Sequence, residues 1–182
     1  MTLIKVLNKE HENITKLLKI SRVMATKLLN NEEVDFDDFY KVIDFIKNYA
    51  DNFHHKKEED FLFNEMVAHL GEVGDKIINH GMNVEHEMAR AYLFDLTNYL
   101  EELRNGNEDK KLDVIATLIS YTHLLTKHID KEDRVIYTFA ERELNKEIMD
   151  KVNAFGLSYE NENKEIKEKY LKVLNDLEKK YL

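Results

Sequence analysis

The stretch His54-His55-Lys56-Lys57-Glu58-Glu59-Asp60-Phe61-Leu62-Phe63 decides the reading of this chain, because His128-Ile129-Asp130-Lys131-Glu132-Asp133-Arg134-Val135-Ile136-Tyr137 repeats it. Both follow H-x-x-K-E-[ED]-x, then two apolar residues and an aromatic, and 74 residues separate them. A shorter pair, Glu10-His11-Glu12 and Glu85-His86-Glu87, recurs after 75 residues. A nearly constant offset between two pairs of segments is the mark of a duplicated unit, here a helix hairpin used twice.

Outward from these segments the apolar residues keep a helical period. Leu7, His11, Ile14 and Leu18 share one stripe of a helix from Leu3 to about Leu29, which Asn30-Asn31-Glu32-Glu33 ends. A second helix is predicted from about Asp35 to Leu70, with Phe39, Ile43, Ile46, Ala50, Phe61 and Leu62 on its apolar side, and Gly71 and Gly74 mark the turn after it. The third runs from about Asp75 to Arg104 with Met82, Ala89, Leu93, Leu96 and Leu100 aligned, stopped by Asn105-Gly106-Asn107. The fourth spans about Asp109 to Leu144, with Val114, Tyr121, Leu124, Leu125, Val135, Ile136 and Phe139. Four long helices with short connections make an all-α, up-down four-helix bundle over residues 1–144. Residues 145–182 read as a C-terminal extension: a break at Gly156, then an amphipathic helix with Ile166, Tyr170, Val173, Leu177 and Tyr181 in line. Its narrow stripe docks on the bundle or, alternatively, on a partner, a second copy forming a homodimer.

Composition agrees with that class and removes others. A chain of 182 residues is one domain's length and can bury a core without covalent staples. The absence of Pro and the presence of only five Gly leave little to break helices. With no Cys there are no disulfides, thiolate zinc sites, cysteine-ligated clusters or cysteine nucleophiles, so any metal sits on His, Asp or Glu. A net charge of −9 argues against nucleic acid as a partner. No apolar run approaches a membrane span, and Met1-Thr2-Leu3-Ile4-Lys5 has no signal-type pattern, which together lead to an expected cytoplasmic location.

The helical phase carries the chemistry. His54 and Glu58 align with Ile43, Ile46, Ala50, Phe61 and Leu62, whereas the same steps from His55 meet Asp44, Asn48, Asp51 and Glu59, so His54 faces inward and His55 faces water. His128 and Glu132 continue the apolar stripe of the fourth helix. His11 lies between Leu7 and Ile14, and His86 between Met82 and Ala89. His55, His69, His80 and His123 lack such placement and are assigned surface or supporting positions. Four imidazoles and two carboxylates converging on one core fit a metal centre, because buried ionised groups are paired or bound to metal; the alternative is a hydrogen-bonded His–Glu network. Imidazole with carboxylate suits iron, manganese or zinc, and six ligands exceed what one tetrahedral ion takes, so two ions are implied. No His has a Glu three residues before it, which disfavours the ferritin-like di-iron pattern.

On Glu10-His11-Glu12, His54-x-x-x-Glu58-Glu59 with Phe61-Leu62-Phe63, Glu85-His86-Glu87 and His128-Ile129-x-x-Glu132-Asp133, the chain resembles the hemerythrin-like family of HHE cation-binding domains from about Leu3 to Leu144. The resemblance implies a non-haem di-iron centre with His11, His54, His86 and His128 as terminal ligands and Glu58 and Glu132 as bridges, joined by an oxide or hydroxide, with manganese or zinc as substitutes. It also implies a role in binding, sensing or reducing dioxygen, nitric oxide or peroxide. Turnover would need an electron donor that the sequence does not identify. Oxygen carriers of the family have a fifth His where this chain has Met82, and bridge through an Asp at the position of Asp133. Glu132 is preferred here because it repeats the His54–Glu58 spacing, which is the pattern of the four-His, two-Glu subgroup. That subgroup includes proteins of iron-centre repair, which typically carry an N-terminal Cys pair that this chain lacks. Without a fifth His both metals keep open positions, which favours redox chemistry or sensing over reversible carriage. Tyr121, one stripe position from His128, is a candidate hydrogen-bond donor to a bound oxygen species. Iron-responsive interaction through the C-terminal stripe, and iron donation, are the alternative functions.

Overall fold

A computed structural model describes residues 2–182. Among the described residues there are six helices and no strand: α1 (Leu3–Leu29), α2 (residues 36–69), α3 (residues 71–104), α4 (residues 110–143), α5 (Lys146–Glu162) and α6 (Lys164–Tyr181). Helices α1 to α4 form the bundle, and α5 and α6 lie across α1 and α2. None of the helices is long and apolar enough to cross a membrane.

The boundaries follow local chemistry. The Thr2 hydroxyl accepts from the Lys5 amide, the Asp35 carboxylate from Asp37, and the Asn145 side chain from Ile148, each satisfying an orphan donor at a helix start. Gly71, at φ +59°, makes the turn between α2 and α3, while Gly74 belongs to α3, where an added Cβ would clash with the Met66 carbonyl. Gly156 does not break the chain. It is buried inside α5, where a Cβ would meet the Leu3 side chain at 2.6 Å, so close approach of α5 to α1 is what requires the missing side chain. The interruption comes at Asn163 instead.

Three of the long helices are not uniformly α. Ile46–His55 and Glu58–Phe63 in α2, Ile78–Met82 in α3 and Glu132–Ile136 in α4 wind as π-helix, with hydrogen bonds reaching five residues. This wider winding, often found near functional sites, changes which side chains face inward. Two expectations built on a uniform 3.6-residue period therefore need correction. Val135, assigned to the apolar stripe of α4, is 55 % exposed and Ile136 takes the core position. His55, assigned to solvent, is buried. In α6 the stripe is Tyr170, Leu174 and Leu177, and Ile166 points outward.

Two apolar clusters sandwich the inward-facing polar residues. The larger joins α1 to α4 through Leu17, Phe45, Leu100 and Leu118, and includes Tyr170, Leu174 and Leu177 of α6; the smaller gathers Leu3, Leu7, Phe63, Met82, Tyr137 and Val152. The C-terminal segment thus docks on the bundle. Lys16 pairs with Glu178, the Tyr170 hydroxyl donates to Asp44, and the Tyr181 hydroxyl donates to Asp38.

Candidate metal centre

All six inward residues are buried and meet between the two clusters. The Nε2 atoms of His11 and His54 are 2.9 Å apart, and those of His86 and His128 are 3.0 Å apart. Two ligands at right angles on one metal, with bonds of about 2.1 Å, stand roughly 3.0 Å apart. Glu132 lies between the pairs: Oε2 is 3.3 Å from His11 Nε2, and Oε1 is 3.1 Å from His128 Nε2 and 3.8 Å from His86 Nε2. Glu58 Oε2 is 3.5 Å from His54 Nε2 and 3.8 Å from His86 Nε2. His11, His54, Glu58 and Glu132 offer ligand atoms within 4.8 Å of one another.

The other imidazole nitrogens turn outward to carboxylates. Nδ1 of His54 contacts Glu10 at 2.9 Å, that of His128 contacts Glu85 at 2.9 Å, that of His11 contacts Asp133 at 2.7 Å, and that of His86 contacts Glu59 at 2.6 Å. These carboxylates hold a proton on Nδ1 and leave Nε2 as the inward nitrogen, the arrangement that supports metal-ligating histidines. The repeat now has a reason at each position. His54 and His128 face the centre, Lys57 and Lys131 pair with Glu10 and Glu85, and Glu58 and Glu132 point in. Glu59 and Asp133 orient the histidine of a neighbouring helix. The outer roles of Glu10, Glu59, Glu85 and Asp133 were not assigned from the sequence, although their recurrence in both copies was the available signal. Asp133 stands outside the cluster, holding His11.

The aromatic that closes each repeat also touches the centre. Phe63 stacks on His86 with ring centroids 5.9 Å apart, and Tyr137 stacks on His11 at 5.7 Å. Tyr137 additionally donates its hydroxyl hydrogen to Glu58 Oε1. Tyr121, the candidate donor, instead lines a narrow crevice with Ile46, Asp51, His55, Ala89, Arg90 and Leu93. His69, His80 and His123 lie at the surface, as assigned.

The donor set fits a metal. Glu132 Oε1, Glu132 Oε2 and Glu58 Oε2 are buried without a hydrogen-bond partner, and an unpaired buried carboxylate is too costly to keep unless a cation or a proton serves it. In the protein alone, protons take part of that role. Burial lowers the affinity of His11 and His128 for a proton, but Asp133 and Glu132 for the former and Glu132 and Glu85 for the latter outweigh it and push both up to about 10. Burial and then the charge of Glu132 push Glu58 up to about 8. Burial likewise acts against ionisation of Glu132, yet His128 and His11 hold it well below the usual carboxylate range. His54 is pushed far down by burial and by the neighbouring His11. Cations entering here must displace these protons, so uptake is coupled to proton release.

No curated protein matches the chain, and no solved structure matches it. A family model, the hemerythrin HHE cation binding domain, matches residues 2–152. That span holds every inward His and Glu described above, and the chain accordingly belongs to the hemerythrin HHE cation-binding domain family.

Proposed function

We infer that the six inward residues hold a dinuclear non-haem iron centre that binds, senses or reduces a small molecule such as dioxygen, nitric oxide or peroxide. His11 and His54 serve one ion, His86 and His128 the other, and Glu132 and Glu58 lie between them. The observation that carries this reading is Glu132, whose two partnerless oxygens face different histidine pairs. A carboxylate buried for structural reasons would have found donors on both atoms.

Iron bound here would supply one-electron steps and open coordination positions; manganese or zinc would satisfy the same donors with different redox capacity. The chain's own residues do the rest. Glu10, Glu59, Glu85 and Asp133 fix the imidazole rings, Phe63 and Tyr137 exclude water from one end, and Tyr137 holds a proton at Glu58 Oε1. Anaerobic ferrous loading should give about two ions per chain, with visible absorption that changes on adding oxygen or nitric oxide. Protein that takes up no iron overturns the reading.

A second reading, in which iron loading changes an interaction surface, draws on one contact. Glu160 of α5 and Lys167 of α6 reach Lys57 and Glu10, which orient His54, so the C-terminal helices touch the support of the centre. Identical elution on size exclusion with and without iron argues against it.

A further inference from the structure

The carboxylate that orients His54 is itself held from outside the four bundle helices. Glu10 gives Oε2 to His54 Nδ1, and Oε1 to Lys57 at 2.5 Å and to Lys167 at 3.5 Å. Both lysines also bind Glu160, Lys167 at 2.6 Å, so two cations and two anions close a ring. Glu10 belongs to α1 and Lys57 to α2, whereas Glu160 of α5 and Lys167 of α6 flank Asn163, where one helix gives way to the other. Gly156, one turn before Glu160, lets α5 lie close enough to α1 for this reach. Lys57 and Glu10 are buried, and Glu160 and Lys167 close the ring on its solvent side at 12 % and 26 % exposure. Glu85 and Glu59, by contrast, pair with Lys131 and Arg90 of the bundle itself.

Fastening the C-terminal helices does not account for this ring. Val152 of α5 and Tyr170, Leu174 and Leu177 of α6 already dock them through apolar contacts, and apolar groups of similar size stabilise a fold as well as buried ion pairs do. What charges can do, and apolar groups cannot, is set the charge on Glu10. A carboxylate that accepts from the Nδ1–H of a ligating imidazole strengthens Nε2 as a donor. Cations on the other oxygen of that carboxylate draw charge away from the hydrogen bond. Glu160 takes up part of the positive charge of both lysines and so returns charge to Glu10, while Lys167 withdraws it.

We propose that Glu160 and Lys167 are positioning residues of the metal centre, acting in opposite senses through Glu10 on the donor strength of His54. The proposal rests on the dinuclear reading above and adds control of one of its two positions. The ion held by His11 and His54 is linked to the seating of α5 and α6, and the ion held by His86 and His128 is not. Linkage is reciprocal, so an ion at the first position also favours the seated helices.

The test titrates the full chain anaerobically with cobalt(II) alone, following the two binding steps and the ligand-field bands. Glu160→Gln should weaken one of the two steps by about fivefold, less than the roughly tenfold or greater loss that follows removal of a directly bonded carboxylate. Lys167→Met should tighten the same step by about twofold and move the bands the other way, and Lys167→Arg should restore both. If the two residues merely fastened α5 and α6, either loss would loosen the helices and both variants would weaken binding. A plain field effect on the metals would displace both steps together. Should the unaltered protein bind two ions while the variants leave steps and bands unchanged, shift them with one sign, or displace both steps alike, the positioning role falls and the dinuclear reading stands. If the unaltered protein binds no metal, both proposals fall.

Discussion

The two repeats build the same interior and different exteriors. Around His54, Lys57 is 0 % exposed, caught between Glu10 and Glu160 and set 3.7 Å from the centre of the Phe53 ring. Around His128, the equivalent Lys131 is 43 % exposed and pairs with Glu85 alone. The difference comes from α5 and α6, which cover the first repeat and leave the second at the surface. Duplication preserved the residues aimed at the centre, while docking of the C-terminal helices made one support buried and the other wet. Chemically similar donor sets thus sit in unequal dielectric surroundings, so equal sequence does not mean equal affinity.

The largest expected effect falls on the shared interior. Glu132→Ala removes the carboxylate whose two oxygens face different histidine pairs, and metal analysis should find at least one of the two ions gone; full retention would mean that Glu132 does not join the halves. Next comes the exterior contrast. Lys57→Met leaves Glu10 buried with part of its positive neighbourhood missing, and should cost about 3 kcal/mol in denaturant unfolding. Lys131→Met should cost under about 1 kcal/mol, since an exposed ion pair contributes little. Equal losses would erase the comparison.

Tyr137→Phe makes the second repeat end as the first does, in Phe. The lost hydrogen bond to Glu58 should lower stability by about 1–2 kcal/mol, and the spectra of the loaded protein should shift if that hydroxyl tunes Glu58. The smallest effect concerns Arg90. Burial raises the proton affinity of Asp51 and Glu59, but His55 and Arg90 for the first, and His86 and Arg90 for the second, hold each carboxyl at about 2. Folded-state values below the unfolded ones give stability that is present above about pH 4 and lost as pH falls through 2. Melting temperatures of the original chain and Arg90→Met should therefore differ at neutral pH and converge toward pH 2. A constant gap would show that Arg90 acts through packing instead.

Much of this was legible beforehand. The four bundle helices, their turns and the inward phase of His11, His54, Glu58, His86, His128 and Glu132 follow from apolar spacing, because a helix buries whatever shares a face with its leucines. The same rule misplaced His55 and Val135. Both lie in segments whose backbone hydrogen bonds span five residues, and a sequence pattern read at 3.6 residues per turn carries no sign of that wider winding. Gly156 was misread for another reason: glycine marks a helix end and a tight crossing with the same letter, and only the Leu3 side chain against it distinguishes them.

The amino-acid sequence by itself determined the helical class, the duplication and which imidazoles and carboxylates point to the middle, since these depend on residue type and on spacing within single helices. Tertiary structure alone decided which carboxylate steadies which histidine, that Tyr137 reaches Glu58, that His55 lies flat on His86, and that α5 and α6 bury one lysine and not its twin. Those are contacts between residues far apart along the chain, made by helices whose relative rotation is set by how all of their side chains fit together, and no local period encodes that fit.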